Sequence, residues 1–145
     1  MQTRRITKED FQEIVRVIDR WWGGPTNALA HPVFFYELGA HARVVENDGQ
    51  MVGFLFGLIS SDLPKTGYVH LVGIHPEHRR QGVGGVLYRA FEEEARARGC
   101  TRMKAIANPG NQASHAFHLS LGWNAHLVDD YAGPSRPREV FLKDL

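Results

Sequence analysis

This sequence predicts an α/β domain with a mixed sheet, and three features carry the prediction. Strand-like apolar runs at Gln50–Ser60, Tyr68–Ile74 and Arg102–Ala107 are interleaved with helix-period patterns at Lys8–Trp22 and Val83–Arg98. Asn47-Asp48-Gly49 between two extended segments is a hairpin signal. A glycine-rich loop, Arg79-Arg80-Gln81-Gly82-Val83-Gly84-Gly85, joins a strand to a helix and makes an anion site from simple parts. Its glycines admit close approach, N–H groups point outward at the helix start, and the helix dipole favours negative charge there.

The elements follow in order. Gln2–Ile6 is short and mixed, suited to an edge strand. Thr7 with Asp10 three positions on forms a capping-box-like start, with Asp for the usual Glu or Gln. Phe11, Ile14, Val15, Ile18 and Trp22 recur at helical spacing, predicting a helix over Lys8–Trp22 that Gly23-Gly24-Pro25 ends. Thr26–His31 reads as a loop, and Pro32 suits the first turn of a short helix carrying Val33, Phe34, Phe35 and Leu38. Ala42–Glu46 is a strand, and Gln50–Ser60 returns beside it, apolar enough for burial on both faces. A turn over Asp62–Thr66 precedes the strand Tyr68–Ile74.

Beyond the loop, Val83, Val86, Leu87, Ala90, Phe91 and Ala95 make one apolar stripe, and Glu92/Arg96 and Glu94/Arg98 are i,i+4 pairs on the other face. Gly99 is the stop. Arg102–Ala107 is a strand, Asn108-Pro109-Gly110 a turn, and Asn111 a cap for a helix bearing Ala113, Ala116, Phe117 and Leu121, which Gly122 ends. Trp123–Asp130 and Glu139–Lys143 form a closing hairpin. The order is β-α-α-β-β-β-α-β-α-β-β without an internal repeat, so residues 1–145 read as one domain.

Composition removes several classes of function. A formal net charge of +1 gives no basic field for nucleic acid or an anionic membrane. The single cysteine, Cys100, excludes an internal disulfide and a multi-cysteine metal site, and reads as buried packing. His75, Glu77 and His78 do not match H-E-x-x-H and belong to the turn, so no metal is expected. No leader pattern and no apolar run of membrane length is present, and a cytoplasmic protein is the expectation.

Spacing then narrows the loop. A nucleotide P-loop needs G-x-x-x-x-G-K-[ST], and no Lys-Ser or Lys-Thr follows these glycines. A dinucleotide fingerprint needs a third glycine where Leu87 stands. What fits is R-x-x-G-x-G, as Arg79, Gly82 and Gly84. Upstream stands Leu71-Val72-Gly73-Ile74-His75-Pro76, and downstream Asn111-x-x-Ser114-x-x-Phe117-His118 followed by Leu121-Gly122-Trp123. Over Tyr68–Trp123 the chain resembles the GNAT superfamily of acyl-CoA N-acyltransferases.

The resemblance implies a mixed, mostly antiparallel sheet of six to seven strands with about four helices, and a splayed parallel pair after the fourth strand. It implies acetyl-CoA as donor co-substrate. Backbone N–H groups of Gln81, Gly82, Val83, Gly84 and Gly85 would meet the pyrophosphate, with Arg79 and Arg80 adding charge. The backbone of Val72, Gly73 and Ile74 would pair with the pantetheine arm, and Asn111, Ser114 and Phe117 are further coenzyme contacts. A glycine inside a strand, as at Gly73, suits close approach of a ligand.

An amine must lose a proton before attacking a thioester, and the departing thiolate is helped by gaining one. His70 stands where many relatives of this family place a glutamate base, and neutral imidazole can accept a proton near pH 7. Alternation puts Tyr68, His70 and Val72 on one face, which the family's geometry turns toward the acceptor. His118 occupies the place of a tyrosine that protonates the leaving thiolate. Two roles stay open for it, general acid and a structural or coenzyme contact. The implied oxyanion donor is a backbone N–H near Val72. The acceptor would lie among Trp21, Trp22, Asn27, His31, Phe35 and Tyr36 on one side and Asp129, Asp130 and Tyr131 on the other. Together these predict an N-acetyltransferase acting on a primary amine of a small molecule or peptide by direct attack in a ternary complex. The alternative is a non-catalytic acyl-CoA-binding domain, and the family suggests a homodimer.

Overall fold

A computed structural model describes residues 1–22 and 27–145. Seven strands form one sheet: β1 (Gln2–Arg5), β2 (Arg43–Asn47), β3 (Gln50–Ser60), β4 (Thr66–Ile74), β5 (Arg102–Ala107), β6 (Asn124–Val128) and β7 (Arg138–Asp144). Their spatial order is β1-β2-β3-β4-β5-β7-β6. Only β4 and β5 run parallel; every other neighbouring pair is antiparallel. The helices are α1 (Lys8–Trp22), α2 (Val33–Tyr36), α3 (Val83–Ala97) and α4 (Gln112–Ser120). The mixed, mostly antiparallel seven-stranded architecture with four α-helices is the predicted one. The expected stop Gly23-Gly24-Pro25 and Thr26 lie outside the described residues.

Local chemistry explains the boundaries. At the start of α1, the Thr7 N–H donates to Asp10 Oδ2 at 2.7 Å and the Asp10 N–H donates back to Thr7 Oγ1 at 3.2 Å. This is a capping box with Asp in the second role. Arg4 locks it further, donating to Asp10 Oδ2 at 2.6 Å. Burial pushes the Asp10 carboxyl up, but the Arg4 and Thr7 bonds outweigh it and hold it below its ordinary range. Between β2 and β3, Asp48 and Gly49 both take positive φ, at 52° and 77°, as a two-residue hairpin turn requires.

The sheet carries one core on each face. Leu87, Phe91, Met103, Trp123 and Phe141 pack on the α3–α4 side, and Ile14, Ile18, Phe34, Phe54, Phe56 and Leu71 on the α1–α2 side. In β3, a Cβ on Gly53 would lie 2.6 Å from Val83 and one on Gly57 2.8 Å from Phe91, so these glycines let α3 press onto the sheet. Three stripes differ from the sequence reading. In α1, Val17 and Trp21 are buried while Val15 and Trp22 are exposed, because the face toward the sheet is centred one residue earlier. In α3, Gly85 and Tyr88 are buried and Val86 and Ala90 only half-buried. In α4 the buried residue is His118, and Ala113 and Ala116 face solvent.

Candidate functional site

The site is built on β4, whose two halves have different neighbours. From Thr66 to Val69 it pairs with β5, ending at Val69↔Ala105; from Leu71 to Ile74 it pairs with β3 alone among the described strands. β5 meanwhile continues against β7 to Ala107. The parallel pair therefore splays, leaving the backbone edge along Val72, Gly73 and Ile74 without a strand neighbour among the described residues. Such an edge accepts an extended partner by strand-like hydrogen bonding.

A bulge sits at the splay. Phe56 is opposite Leu71 and Gly57 opposite Val69, which leaves His70 without a partner on β3. The extra residue shifts the alternation, and this corrects the single-face assignment for Tyr68, His70 and Val72. Val72 packs into the α3 core, whereas His70 stacks on Phe34 of the opposite core, with ring centroids 4.1 Å apart and planes 9° apart. Gly73 has a packing reason as well: a Cβ there would lie 2.4 Å from the Phe54 ring.

His70 Nε2 lies 3.0 Å from the Leu29 carbonyl. A carbonyl only accepts, so Nε2 carries the proton and Nδ1 keeps its lone pair. No described residue occupies Nδ1. Burial lowers the His70 pKa below its ordinary 6.5, against an opposing pull from the Leu29 bond. The imidazole is thus oriented, neutral near pH 7 and open at one nitrogen.

The loop after β4 enters α3 through two residues in the left-handed region. Arg80 and Gly82 take positive φ, at 61° and 83°, and the first α3 bond within the helix is Val86 N–H to the Gly82 carbonyl at 3.1 Å. Among the described residues, none of the N–H groups from Arg79 to Gly85 has a partner. Unpartnered N–H groups at a helix N-terminus can receive an anion. Arg80 is exposed beside them. Arg79 instead donates to the Trp21 carbonyl, tying the loop to the end of α1. A Cβ on Gly84 would come 3.1 Å from Phe117, so that glycine also sets the approach of α4. Asn111 caps α4, its Oδ1 accepting from the Ser114 N–H at 3.1 Å.

His118 is placed differently from His70. It is buried and stacked on Phe141 at 4.0 Å between centroids. Nδ1 lies 2.8 Å from the Ser114 carbonyl and Nε2 2.9 Å from the Tyr88 hydroxyl. The carbonyl again fixes the tautomer: Nδ1–H donates and Nε2 accepts from Tyr88. Burial lowers the His118 pKa, so both nitrogens are engaged and the ring carries no spare proton. Cys100 is buried, with its thiol pKa pushed up by burial, and is not an activated nucleophile.

The sequence profile of the Acetyltransferase (GNAT) family matches residues 7–123. The chain belongs to this family. It is an acyl-CoA-dependent acetyltransferase, and acetyl-CoA is its acyl donor. Solved structures share the fold at low identity. Naa20 of Chaetomium thermophilum, in complex with a bisubstrate analogue, superposes with a TM-score of 0.81 at 22% identity, covering 100% of this chain and 87% of that one. The ribosomal-protein-alanine N-acetyltransferase of Brucella melitensis gives 0.77 at 20%, covering all of both chains. The yncA protein of Salmonella typhimurium, with its cofactor acetyl-CoA, gives 0.76 at 20%, covering 99% and 93%.

The residues expected around the acceptor divide by their placement. Trp21 is buried edge-on to His75 at 5.4 Å, and Phe35 stacks on Phe11 at 5.4 Å. Trp22 and Tyr36 are exposed, His31 Nδ1 accepts from the Val33 N–H at 3.0 Å, and the Asn27 side chain lies outside the described residues. Asp129 and Asp130 are exposed, and Tyr131 reaches a pocket of about 370 Å³ with Tyr68, Arg102 and Lys104. Burial and the neighbouring Tyr131 push the Tyr68 hydroxyl up to about 12, so it is neutral. Sequence reasoning missed that pocket and Tyr88. The alternation Arg102-Met103-Lys104-Ala105 was the available signal, since it marks a strand with one cationic face.

Proposed function

We propose that residues 1–145 form one N-acetyltransferase domain that moves an acetyl group from acetyl-CoA to a primary amine of a small molecule or peptide, by direct attack in a ternary complex. The observation that carries this reading is His70: neutral, oriented by the Leu29 carbonyl, and open at Nδ1 at the point where β4 leaves β5. Nδ1 takes the proton from the amine, directly or through one water. The free edge of Val72, Gly73 and Ile74 holds the donor's extended arm, and an N–H near Val72 polarises the reacting carbonyl. Gln81, Gly82, Val83, Gly84 and Gly85 receive the pyrophosphate through their unpartnered N–H groups, with Arg80 adding charge. Arg79 supports the loop from α1. Asn111, Ser114 and Phe117 shape the other wall, as cap, capped residue and ring against Gly84.

Acetyl-CoA, when bound, supplies the thioester acyl group and the thiolate that leaves. His118, with its proton committed to Ser114, fits the structural one of its two roles and fixes the Tyr88 hydroxyl. A cytoplasmic setting suits a chain with one buried cysteine, and no described helix is long and apolar enough to cross a membrane. One neighbour is by name an N-acetyltransferase of a ribosomal-protein alanine and another, the NatC complex, is bound to Gag peptide and CoA, which supports a peptide amine as one arm of the acceptor class. The test is thermal stabilisation by acetyl-CoA followed by free-thiol release against an amine panel. Stabilisation with amine-dependent release is expected; stabilisation without release from any amine would instead favour the non-catalytic acyl-CoA-binding reading.

A further inference from the structure

Two half-buried cations, Arg102 and Lys104, meet no carboxylate among the described residues. Other half-buried cations have acceptors: Arg4 on Asp10 and Glu46, Arg43 on Glu94, Lys143 on Glu92, and Lys65 and Arg138 on the backbone carbonyls of Arg98 and Pro137. Arg102 instead donates through Nε to Thr66 Oγ1 at 2.8 Å, and Thr66 donates onward to the Pro64 carbonyl at 2.6 Å. That chain fixes the guanidinium and leaves both Nη atoms without a partner among the described residues. Lys104 Nζ stands 4.8 Å from the centre of the Tyr131 ring and meets no carboxylate among the described residues. Both line the pocket of about 370 Å³, whose one carboxylate, Asp62, is exposed at its rim.

Partly desolvated charges without a partner are costly, and a carboxylate met by an oriented guanidinium and an ammonium recovers that cost through charge-assisted bonds. The parallel register places the pair beside β4 just before the bulge, with Thr66 opposite Arg102 and Tyr68 opposite Lys104. Strand rise and neighbour spacing put the Lys104 backbone about 8 Å from that of His70. We propose that this pocket selects acceptors that carry a carboxylate set back from the reacting amine, held by Lys104 and Arg102. Two sources share that chemistry: an acidic side chain close to the amino terminus of a peptide, and the carboxylate of a small ω-amino acid. The proposal rests on amine acetylation at His70 and names its acceptor class.

The experiment compares the full chain with Lys104→Met and Lys104→Glu at saturating acetyl-CoA. Acceptors are peptides with Asp or Glu at the second or third residue, their Ala and Lys counterparts, ε-aminocaproate and hexylamine. Thiol release gives kcat/KM, and thermal shift of the CoA-saturated protein with each amine gives binding independently of turnover. Expected is a preference of about tenfold for the acidic acceptors, lost in Lys104→Met and reversed toward cationic amines in Lys104→Glu, with acetyl-CoA stabilisation kept in all three. The peptide or the ω-amino acid arm that shows the preference identifies the source. Wild type favouring neutral or cationic amines, unchanged selectivity in Lys104→Glu, or no stabilisation by any acidic amine overturns the proposal and leaves acetyl transfer standing. Absent stabilisation by acetyl-CoA itself overturns the reading beneath it.

Discussion

His70 and His118 lie on opposite faces of the same sheet, and burial lowers the pKa of both. Each donates one N–H to a backbone carbonyl, Leu29 for His70 and Ser114 for His118. They differ at the second nitrogen. His70 leaves Nδ1 open beside the splay of β4 and β5, whereas His118 spends Nε2 on the buried Tyr88 hydroxyl. A neutral histidine with a free lone pair can move a proton; one with both nitrogens engaged holds a structure together. Burial and a shifted pKa do not separate these cases, and the hydrogen-bond count does.

Substitution at each histidine tests that contrast, and the largest effect is expected at His70. His70→Ala should lower kcat by about 10²–10⁴-fold with acetyl-CoA stabilisation unchanged, measured by thiol release near pH 7.5. An unchanged rate would remove His70 as the base. His118→Ala should act on stability instead. It leaves the Tyr88 hydroxyl buried without an acceptor and opens space against Phe141, costing about 2–4 kcal/mol by denaturant unfolding. The folded variant should keep kcat within about threefold, far short of a general acid's contribution. A rate loss matching that of His70→Ala, at wild-type stability, would return the general-acid role to His118.

The sequence carried the donor side of the site further than the acceptor side. The loop Arg79–Gly85 and the cap at Asn111 are local: glycines, a helix start and an Asn at the capping position are visible in consecutive residues. The splay was reached through resemblance, because the end of β4–β5 pairing at Val69 depends on two segments distant in sequence. The bulge at His70 was not legible, since an extra residue in one strand shows only against its partner, and it moved Val72 to the other face. His118 and Tyr88 come from different helices, so nothing near either announced their bond. The α4 stripe misled because that short helix buries its histidine rather than its alanines.

The donor loop offers a smaller effect of the same kind, since it too separates ligand contact from support. Arg80 is exposed in the loop, while Arg79 is bonded back to the Trp21 carbonyl. Arg80→Glu places a like charge at the expected pyrophosphate and should weaken acetyl-CoA binding about tenfold, or about 1.4 kcal/mol, with little change in unfolding. Arg79→Ala should show the reverse balance, losing stability of the α1–loop contact before it loses affinity. Titration calorimetry and denaturant unfolding on both variants would settle the order, and equal affinity losses would merge the two roles.

The smallest effect is in pH, where the two histidines should part by readout. Both have folded pKa values below the ordinary 6.5. Well above pH 6.5 each is neutral folded and unfolded, so neither contributes to the pH dependence of stability there. As pH falls below 6.5 the unfolded chain protonates first, binds more protons than the fold, and stability drops until the folded pKa is passed. The slope is at most about 1.4 kcal/mol per pH unit for each group. Asp10 and Glu92 have carboxyls held below their ordinary range, so their stabilisation is lost only at more acid pH. Unfolding measured between about pH 6.5 and 5 therefore isolates the histidines from these carboxylates. His118→Gln should flatten that slope and leave the acid limb of kcat/KM in place, because the limb is expected from the proposed base, His70, on the other face. His70→Gln should flatten the slope as well but abolish the limb, and a limb that survives it would mean the proton leaves by another group.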